Sequence, residues 1–521
     1  MLPISTLRDL AHPQGEPPSS SSSGQNDTFV VQTPGGVFHV SYDTQAEVSH
    51  LGGVVPFAQF LQASGLFSEW VADAPLSYSS NRALGVRDVL GTQVLSMICG
   101  HYRFAHIAAL RGDTVTPQVL GMKQVASEDA VRRAMLRLVK EAVDREKTMS
   151  WLRCYLRQTL DPLLGVPWTL DIDVTIKPVY GYQPGSVVGY NPQKPGRPSH
   201  ALHSFVMAQT RLVLDVAVHP GNEHTSNHTL PELQRVLIDL PRDRWPALLR
   251  GDCGFGTEDI MTWAESVGLP YLFKQRMTKN TKHLVDELDL QAGWVDAGQG
   301  WEGKESTLQL STWKGPRRVV ILRRPDPGPR YPRAKDIAAA KQPKQEIIDT
   351  CLPHLVASGY EYQVLVTSLS EDISTIAQRY RDRADVENVF DEIKNHWGWG
   401  GFTSHTFEVT QAVAVIAALV YNWWSIFCRL ADPNHHREAI TTRPTLLHGV
   451  IRQTSHSNQR LLTITSTNGN KVAIAAFFIR ISQWMARVTA NAEQWTSAQR
   501  WEAMVRSIFA GPLGVTTAPT G

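Results

Sequence analysis

Residues 166–176 read VPWTLDIDVTI, and this stretch decides how the middle of the chain folds. Its β-branched, aromatic and aliphatic residues predict a β-strand. Asp171 and Asp173 alternate with apolar residues, so both carboxylates lie on one face of that strand. Carboxylates in so apolar a strand are costly unless a metal ion or another partner compensates them. A pair of exposed aspartates on an edge strand is the alternative interpretation.

Downstream, the pattern predicts two further strands and then alternating helices and strands. β-rich segments are expected around 179–190 and 202–218, and helices around 228–240 and 257–267, with strands in WPALLRGD and LPYLFKQ. This order is typical of an α/β (α+β) fold with a mixed sheet and covering helices. Residues 277–355 break the pattern and are interpreted as a β-rich insertion.

A second acidic residue, Asp252, follows the short strand ALLR within the sequence RGDCGFG. Glycines on both sides of it permit a close approach of backbone, which suits a site at the edge of a sheet. An aspartate in an ordinary turn is the alternative.

The segment YRDRADVENVFDEIK, residues 380–394, is expected to belong to one long helix over about 371–396. At about 100° per residue, one narrow stripe of this helix would carry Tyr380, Arg383, Glu387 and Lys394. An acid between two cations suits a metal-bound glutamate whose neighbours grip phosphates. An exposed helix with an ordinary ion pair between Arg383 and Glu387 is the alternative.

Composition divides the rest of the chain. Residues 1–27 are rich in Pro, Ser and Gly and predict a disordered lead-in, whereas 28–54 hold two β-rich runs around Pro-Gly-Gly and predict a β-hairpin. Residues 55–150 are expected to be helical. Residues 431–521 are expected to form a helical C-terminal region with a flexible tail.

Bulk properties describe a globular protein with 42% hydrophobic and 19% charged residues and a formal net charge of +2. So small a charge does not predict a nucleic-acid partner, and any such surface must come from local clustering. The five cysteines form no CxxC pair, which argues against structural zinc or a disulfide framework. The apolar run from Ala412 to Phe427 is short for a membrane span and is interpreted as a buried core helix.

Three segments together resemble a known family. The spacing Tyr380-x2-Arg383-x3-Glu387-x6-Lys394 matches the YREK signature of DDE transposases of bacterial insertion sequences. DIDVT and RGDCGF are similar to the segments around the first and second aspartates of that superfamily. The stretch VYGYQPGSVVGYNPQKPGRPSHALHSF looks like the GYN…GRPS region of one branch. The resemblance covers about residues 85–430.

The resemblance implies a ribonuclease H-like DDE catalytic domain over 165–430, interrupted by the insertion at 277–355. It implies a DNA transposase that hydrolyses the ends of its element and joins the 3′-hydroxyl to target DNA. The implied partner is double-stranded DNA, both terminal inverted repeats and target, with 55–150 as the domain that binds the DNA ends. A homodimer on DNA is expected because two ends need two active sites. No membrane partner is expected, and the expected location is the bacterial cytosol, at the nucleoid.

The same resemblance assigns roles to residues. The residues implied to be catalytic and metal-coordinating are Asp173, Asp252 and Glu387. Those implied to contact DNA phosphates are Tyr380, Arg383 and Lys394. Two Mg²⁺ (or Mn²⁺) ions per active site are implied, and such hard cations prefer oxygen ligands. Asp173 is preferred to Asp171 because it stands before x-Thr in the family's pattern, which leaves Asp171 to support it.

Other features and interpretations stay open. Trp294, Trp301 and Trp313 in the insertion would either stack on an extruded base or belong to a core. The histidines at 219, 224 and 228 are interpreted as structural or loop residues. A DNA-binding remnant without catalysis is one alternative function. A glycoside hydrolase, which also uses two acids, is another, although it has no need of the cationic stripe.

Overall fold

The computed structural model describes residues 28–510 apart from 81–82, 190, 192–193, 223–224, 327–353, 356–358, 403, 458 and 491–494. The predicted lead-in at 1–27 and the end of the predicted tail therefore lie outside the described residues. The chain divides into two compact units, Met1–Glu47 and Val48–Gly521. In the first unit, β1 (Phe29–Thr33) and β2 (Gly36–Val40) pair as an antiparallel hairpin.

The second unit contains the remaining described strands and helices. Its strands are β3 (Val48–Ser49), β4 (Thr169–Pro178), β5 (Val187–Val188), β6 (Pro198–Met207), β7 (Leu212–Pro220), β8 (Leu248–Gly251), β9 (Tyr271–Lys274), β10 (Val295–Gly298), β11 (Trp301–Leu308), β12 (Arg317–Pro325), β13 (His354–Leu355), β14 (Tyr360–Thr367), β15 (Val450–His456) and β16 (Gln459–Thr465). Its α-helices are α1 (Val54–Ser64), α2 (Leu66–Ala72), α3 (Val86–Ile98), α4 (Val115–Val119), α5 (Glu128–Leu138), α6 (Ala142–Leu160), α7 (Thr225–Ile238), α8 (Glu258–Ser266), α9 (Lys279–Asp289), α10 (Ile373–Arg381), α11 (Ala384–His396), α12 (Phe407–Arg429), α13 (Ala439–Thr442), α14 (Lys471–Ala490) and α15 (Ser497–Phe509).

A mixed sheet of eleven strands lies at the centre of this unit. Its core follows the order β7-β6-β4-β8-β9, in which β4, β8 and β9 are parallel and β6 runs antiparallel between β4 and β7. Helices pack on both faces. The predicted ribonuclease H-like mixed sheet with covering helices is confirmed, and the parallel pairing of β4 with β8 brings the two aspartate-bearing segments side by side.

The described part of the predicted insertion, 277–326 with 354–355, does not form a separate lobe. It begins with a helix, α9, and its strands β10, β11 and β12 extend the central sheet because β12 pairs with β14. Trp301 and Trp313 are only 7% and 6% exposed, and the Arg323 guanidinium covers the Trp294 ring at 4.0 Å. The core interpretation of these tryptophans is therefore the one that the packing supports.

The C-terminal region is not wholly helical as predicted. β15 and β16 form an antiparallel hairpin, and β15 also pairs with β3, which precedes the first helix of the unit. Ile451 and Gln453 are buried along β15 while their neighbours are exposed, which is the period-two pattern of a strand with one covered face. This pairing joins the start of the compact unit to its C-terminal region.

The apolar run in the C-terminal half is confirmed as a buried core helix, α12. Asn422 lies within it without cost because its amide accepts from the Val213 N–H and donates to the Val213 carbonyl O, at 2.9 and 2.7 Å. The helices α1 to α6 share one hydrophobic core with α12. Residues 55–150 are therefore packed into the same body as the sheet. By length and composition, α12 and the mostly exposed α14 could each span a membrane, but a core helix passes the same test.

The long helix expected over 371–396 is broken. α10 ends at Arg381, and α11 begins at Ala384 with Arg383 as its N-cap residue. The break lets Arg383 turn inward, where its side chain is only 5% exposed. The four residues of the YREK spacing consequently do not share one continuous helical stripe.

Candidate active site

One face of the sheet carries the two predicted aspartates of β4 together with Arg250 of β8. Asp171 lies opposite Arg250 in the parallel register of β4 and β8, so the two side chains share a face. Asp173 follows two residues after Asp171, and Asp252 two residues after Arg250, which puts both on that face as well. The sequence pattern predicted that the two aspartates share a face. The register shows that Arg250 and Asp252 lie on that face too.

Asp252 immediately follows the end of β8. Its Oδ1 accepts from the Gly254 N–H at 2.8 Å, which fixes the turn. A Cβ atom at Gly251 would lie 3.0 Å from Phe255 Cβ and 3.1 Å from Ile172 Cγ1, so the close approach of the chain there favours glycine.

Arg383 joins two of the predicted acids. Its Nη1 donates to Glu387 Oε1 at 2.7 Å, and its Nη2 lies 3.4 Å from Asp173 Oδ2. Burial opposes the charge of Arg383, but Asp173 and Asp252 raise its pKa overall. The ion pair with Glu387, which a plain surface helix would also show, is therefore part of a network that is centred on the buried Arg383 side chain.

Asp173, Asp252 and Glu387 lie close enough together for their charges to act on one another. Burial raises the pKa of Asp173 to about 7, against the opposing charge of Arg383, and the nearby carboxylates of Asp252 and Glu387 add to the rise. Tyr380 lies at the same place: burial raises its pKa, and Arg383, Asp252 and Glu387 all act on it. Asp173, Asp252, Glu387, Arg383 and Tyr380 thus form one cluster, hereafter the acidic cluster.

Asp171 lies behind this cluster. It is fully buried, and its two carboxylate oxygens are bound by Arg250. Asp173 is 22% exposed and faces Asp252 and Glu387 instead. The geometry therefore leaves Asp173 as the carboxylate of this strand that a ligand can reach.

Lys274 is a member of the site that the sequence did not single out. It ends β9, whose register pairs Leu272 with Arg250, so Lys274 lies on the same face as the acids. Burial lowers the pKa of Lys274, while Asp252 and Glu387 oppose the shift. The sequence did show a basic residue at the end of the predicted strand LPYLFKQ. Only the pairing of β9 with β8, the strand that precedes Asp252, places this residue beside the acids.

Lys394 is placed differently from the other predicted residues. It lies half-buried, two turns beyond Glu387 on α11, and burial lowers its pKa against the opposing charge of Asp391. The histidines lie elsewhere. His203 pairs with Val174 and so occupies the face opposite Asp173, where His219 and His228 stack with ring centroids 4.3 Å apart. His224 lies outside the described residues.

The acidic cluster presents carboxylate oxygens that could bind a metal ion. Among the described residues, no group of three or more His, Cys, Asp or Glu side chains is arranged as a metal site. The donor set nevertheless fits a hard cation because its acids offer only oxygen ligands. Burial raises the pKa of Asp173, the carboxylates of Asp252 and Glu387 add to the rise, and a dication would oppose both effects. The residues present thus fit divalent metal once Glu387 releases Arg383.

Comparisons with known proteins bear on this site. The model of the family described as Transposase DDE domain group 1 matches residues 42–483, most of the chain. The chain is similar to the piggyBac transposase in the cryo-EM structure of its synaptic complex with hairpin DNA, at 10% identity and a TM-score of 0.39, over 90% of this chain and 86% of that one. No curated protein matches the chain.

Proposed function

The chain belongs to the family Transposase DDE domain group 1 and is a DNA transposase; we propose that its acidic cluster cleaves DNA at the ends of an insertion sequence and joins the freed 3′-hydroxyl to target DNA. The observation that carries this proposal is the convergence of Asp173, Asp252 and Glu387 around the Arg383 guanidinium. A glycoside hydrolase, the alternative enzyme class, does not need a guanidinium between its two acids.

We propose that Asp173, Asp252 and Glu387 hold two Mg²⁺ or Mn²⁺ ions. When bound, such ions activate water or a 3′-hydroxyl and stabilise the leaving oxygen of the phosphodiester. Arg383 offers its planar fork to the non-bridging oxygens of the scissile phosphate after parting from Glu387. Tyr380 and Lys274 flank the same position, and Lys394 would meet a phosphate further along the strand. With these groups in place, catalysis rests on positioning and on fixed charge.

The DNA partners are part of the same proposal. Terminal inverted repeats would bind to the helical region at 55–150, where Arg133 is exposed on α5 and paired with Asp129 at 2.9 Å. Phosphates can replace such an exposed pair at little cost because it is worth about 0.2–1 kcal/mol. Target DNA would enter at the acidic cluster. We propose a homodimer on DNA, one active site for each end, acting in the bacterial cytosol at the nucleoid.

The test is cleavage of a labelled duplex that carries the terminal repeat of the element encoding this chain, in Mg²⁺ and with chelator. Wild type should nick at the repeat end, and Glu387→Ala should abolish nicking while DNA binding persists. Asp391→Ala, an exposed acid on the same helix, serves as the matched control and should nick normally. Binding without nicking by the wild type would indicate a DNA-binding remnant. Equal nicking by Glu387→Ala would refute the proposed third acid.

A further inference from the structure

A buried ion pair lies directly behind the acidic cluster. Arg250 Nε donates to Asp171 Oδ1, and Arg250 Nη2 donates to Asp171 Oδ2, both at 2.6 Å. The two side chains are 4% and 1% exposed. The third nitrogen, Nη1, donates to the carbonyl O of Arg379 in the last turn of α10. One guanidinium thus links three segments of the chain, which are its own strand β8, the strand β4 and the end of α10.

Each of these segments carries part of the acidic cluster. Asp171 stands two residues before Asp173 on β4, and Arg250 stands two residues before Asp252 at the end of β8. Arg379 directly precedes Tyr380, where the chain leaves α10 toward Glu387. A bidentate contact between planar groups fixes both distance and orientation, so the Arg250 fork sets how β4, β8 and the end of α10 meet.

Stability alone does not account for this pair. Removing two charges from water costs several kcal/mol per ion, and buried ion pairs replaced by apolar residues of similar volume often leave stability unchanged or improved. All three hydrogen bonds of this pair lie beside the acidic cluster, so the pair also fixes the positions of the carboxylates there. Small displacements of metal-ligating carboxylates weaken metal binding.

We propose that Asp171 and Arg250 are positioning residues that hold Asp173, Asp252 and Glu387 at the separation which divalent metal requires. This inference rests on the proposed function. It concerns metal affinity, which can be measured without cleavage.

The experiment compares wild type with the double variant Asp171→Leu/Arg250→Met, which removes both charges together and so leaves neither unpaired. Arg317→Met is the matched control, because Arg317 is also buried and ion-paired, with Glu258 and Glu265, but lies away from the acids. Two readouts are taken: the rise in Tm on adding Mg²⁺, and the Mg²⁺ concentration that half-saturates nicking. Arg250→Lys, which keeps the charge and loses the fork, is measured alongside in case the double variant does not fold.

The double variant and Arg250→Lys should need about 10–100-fold more Mg²⁺ in both readouts, as other groups that orient metal ligands do. Arg317→Met should match wild type in its Mg²⁺ dependence even where its own Tm falls. A folded double variant, or a folded Arg250→Lys, with unchanged Mg²⁺ dependence would overturn the inference. Wild type that raises its Tm with Mg²⁺ but does not nick would refute the proposed function and leave the positioning role standing.

Discussion

Arg383 Nη2 lies 3.4 Å from Asp173 Oδ2, which joins the start of α11 to the middle of β4. Because this guanidinium also binds Glu387, the approach of phosphate or metal must rearrange Arg383 and the acids together. In the proposed reaction, the cation that neutralises the acids at rest is the group placed to receive the phosphate.

Replacing Arg383 should therefore impair chemistry more than folding. We expect Arg383→Ala to slow single-turnover nicking by about 100-fold, the usual effect of losing one donor to developing charge. Arg383→Lys should recover only part of the rate because a lysine lacks the bidentate fork. Arg381→Ala is the control, since Arg381 donates to the Ala297 carbonyl O instead. Nicking by Arg383→Ala at the wild-type rate would contradict this role.

Lys274 should contribute a phosphate contact. Lys274→Met removes the charge and keeps most of the apolar stem, so we expect weaker DNA binding and a salt dependence of log K that is shallower by about one unit. Fluorescence anisotropy over a range of salt concentrations, in the presence of chelator, measures this slope. Lys279→Met, in the exposed first turn of α9, should leave it unchanged. If the two variants show the same slope, Lys274 does not touch DNA.

Two glutamates of α11 should respond in opposite ways. Glu392 is 2% exposed and accepts from the Trp397 indole N–H and the Ala439 N–H, with His436 Nε2 at 2.7 Å. We expect Glu392→Ala to lower the free energy of unfolding by about 3 kcal/mol because it leaves buried partners unpaired. Glu387 is 62% exposed, so Glu387→Ala should change the free energy of unfolding little and yet abolish nicking. Urea unfolding and the nicking assay, both run on Glu392→Ala and Glu387→Ala, test this contrast.

His203 should make the protein sensitive to acid. Burial lowers its pKa to about 3, with help from His219 and His228. The unfolded chain therefore binds more protons than the native one between about pH 3 and 6.5, so stability rises with pH in that window and is complete above it.

The measurement is the free energy of unfolding at pH 7 and pH 5. Through His203, wild type should lose up to about 1.4 kcal/mol per pH unit below its unfolded pKa. His203→Leu should show a correspondingly smaller loss, whereas His435→Ala, an exposed histidine, should behave as wild type. Equal losses in wild type and His203→Leu would mean that another group governs the acid response.

The sequence by itself determined the local features of this protein. The alternation in TLDIDVT placed Asp171 and Asp173 on one face of a strand, and the uninterrupted apolar run predicted the buried helix α12. The YREK spacing and the two aspartate segments indicated the family that the comparison then showed. These signals are readable because periodicity and motif spacing depend only on residues close together in the chain.

Tertiary structure alone decided what depends on distant residues. Arg250, which the register of the parallel strands places opposite Asp171, binds that aspartate and leaves Asp173 as the carboxylate of β4 in the acidic cluster. The ion pair between Arg383 and Asp173 forms where the helix breaks between α10 and α11, and the periodicity did not predict that break. Lys274 enters the site only through strand pairing. Register and long-range ion pairs are set by contacts between segments far apart in sequence, and no local pattern records which segments will meet.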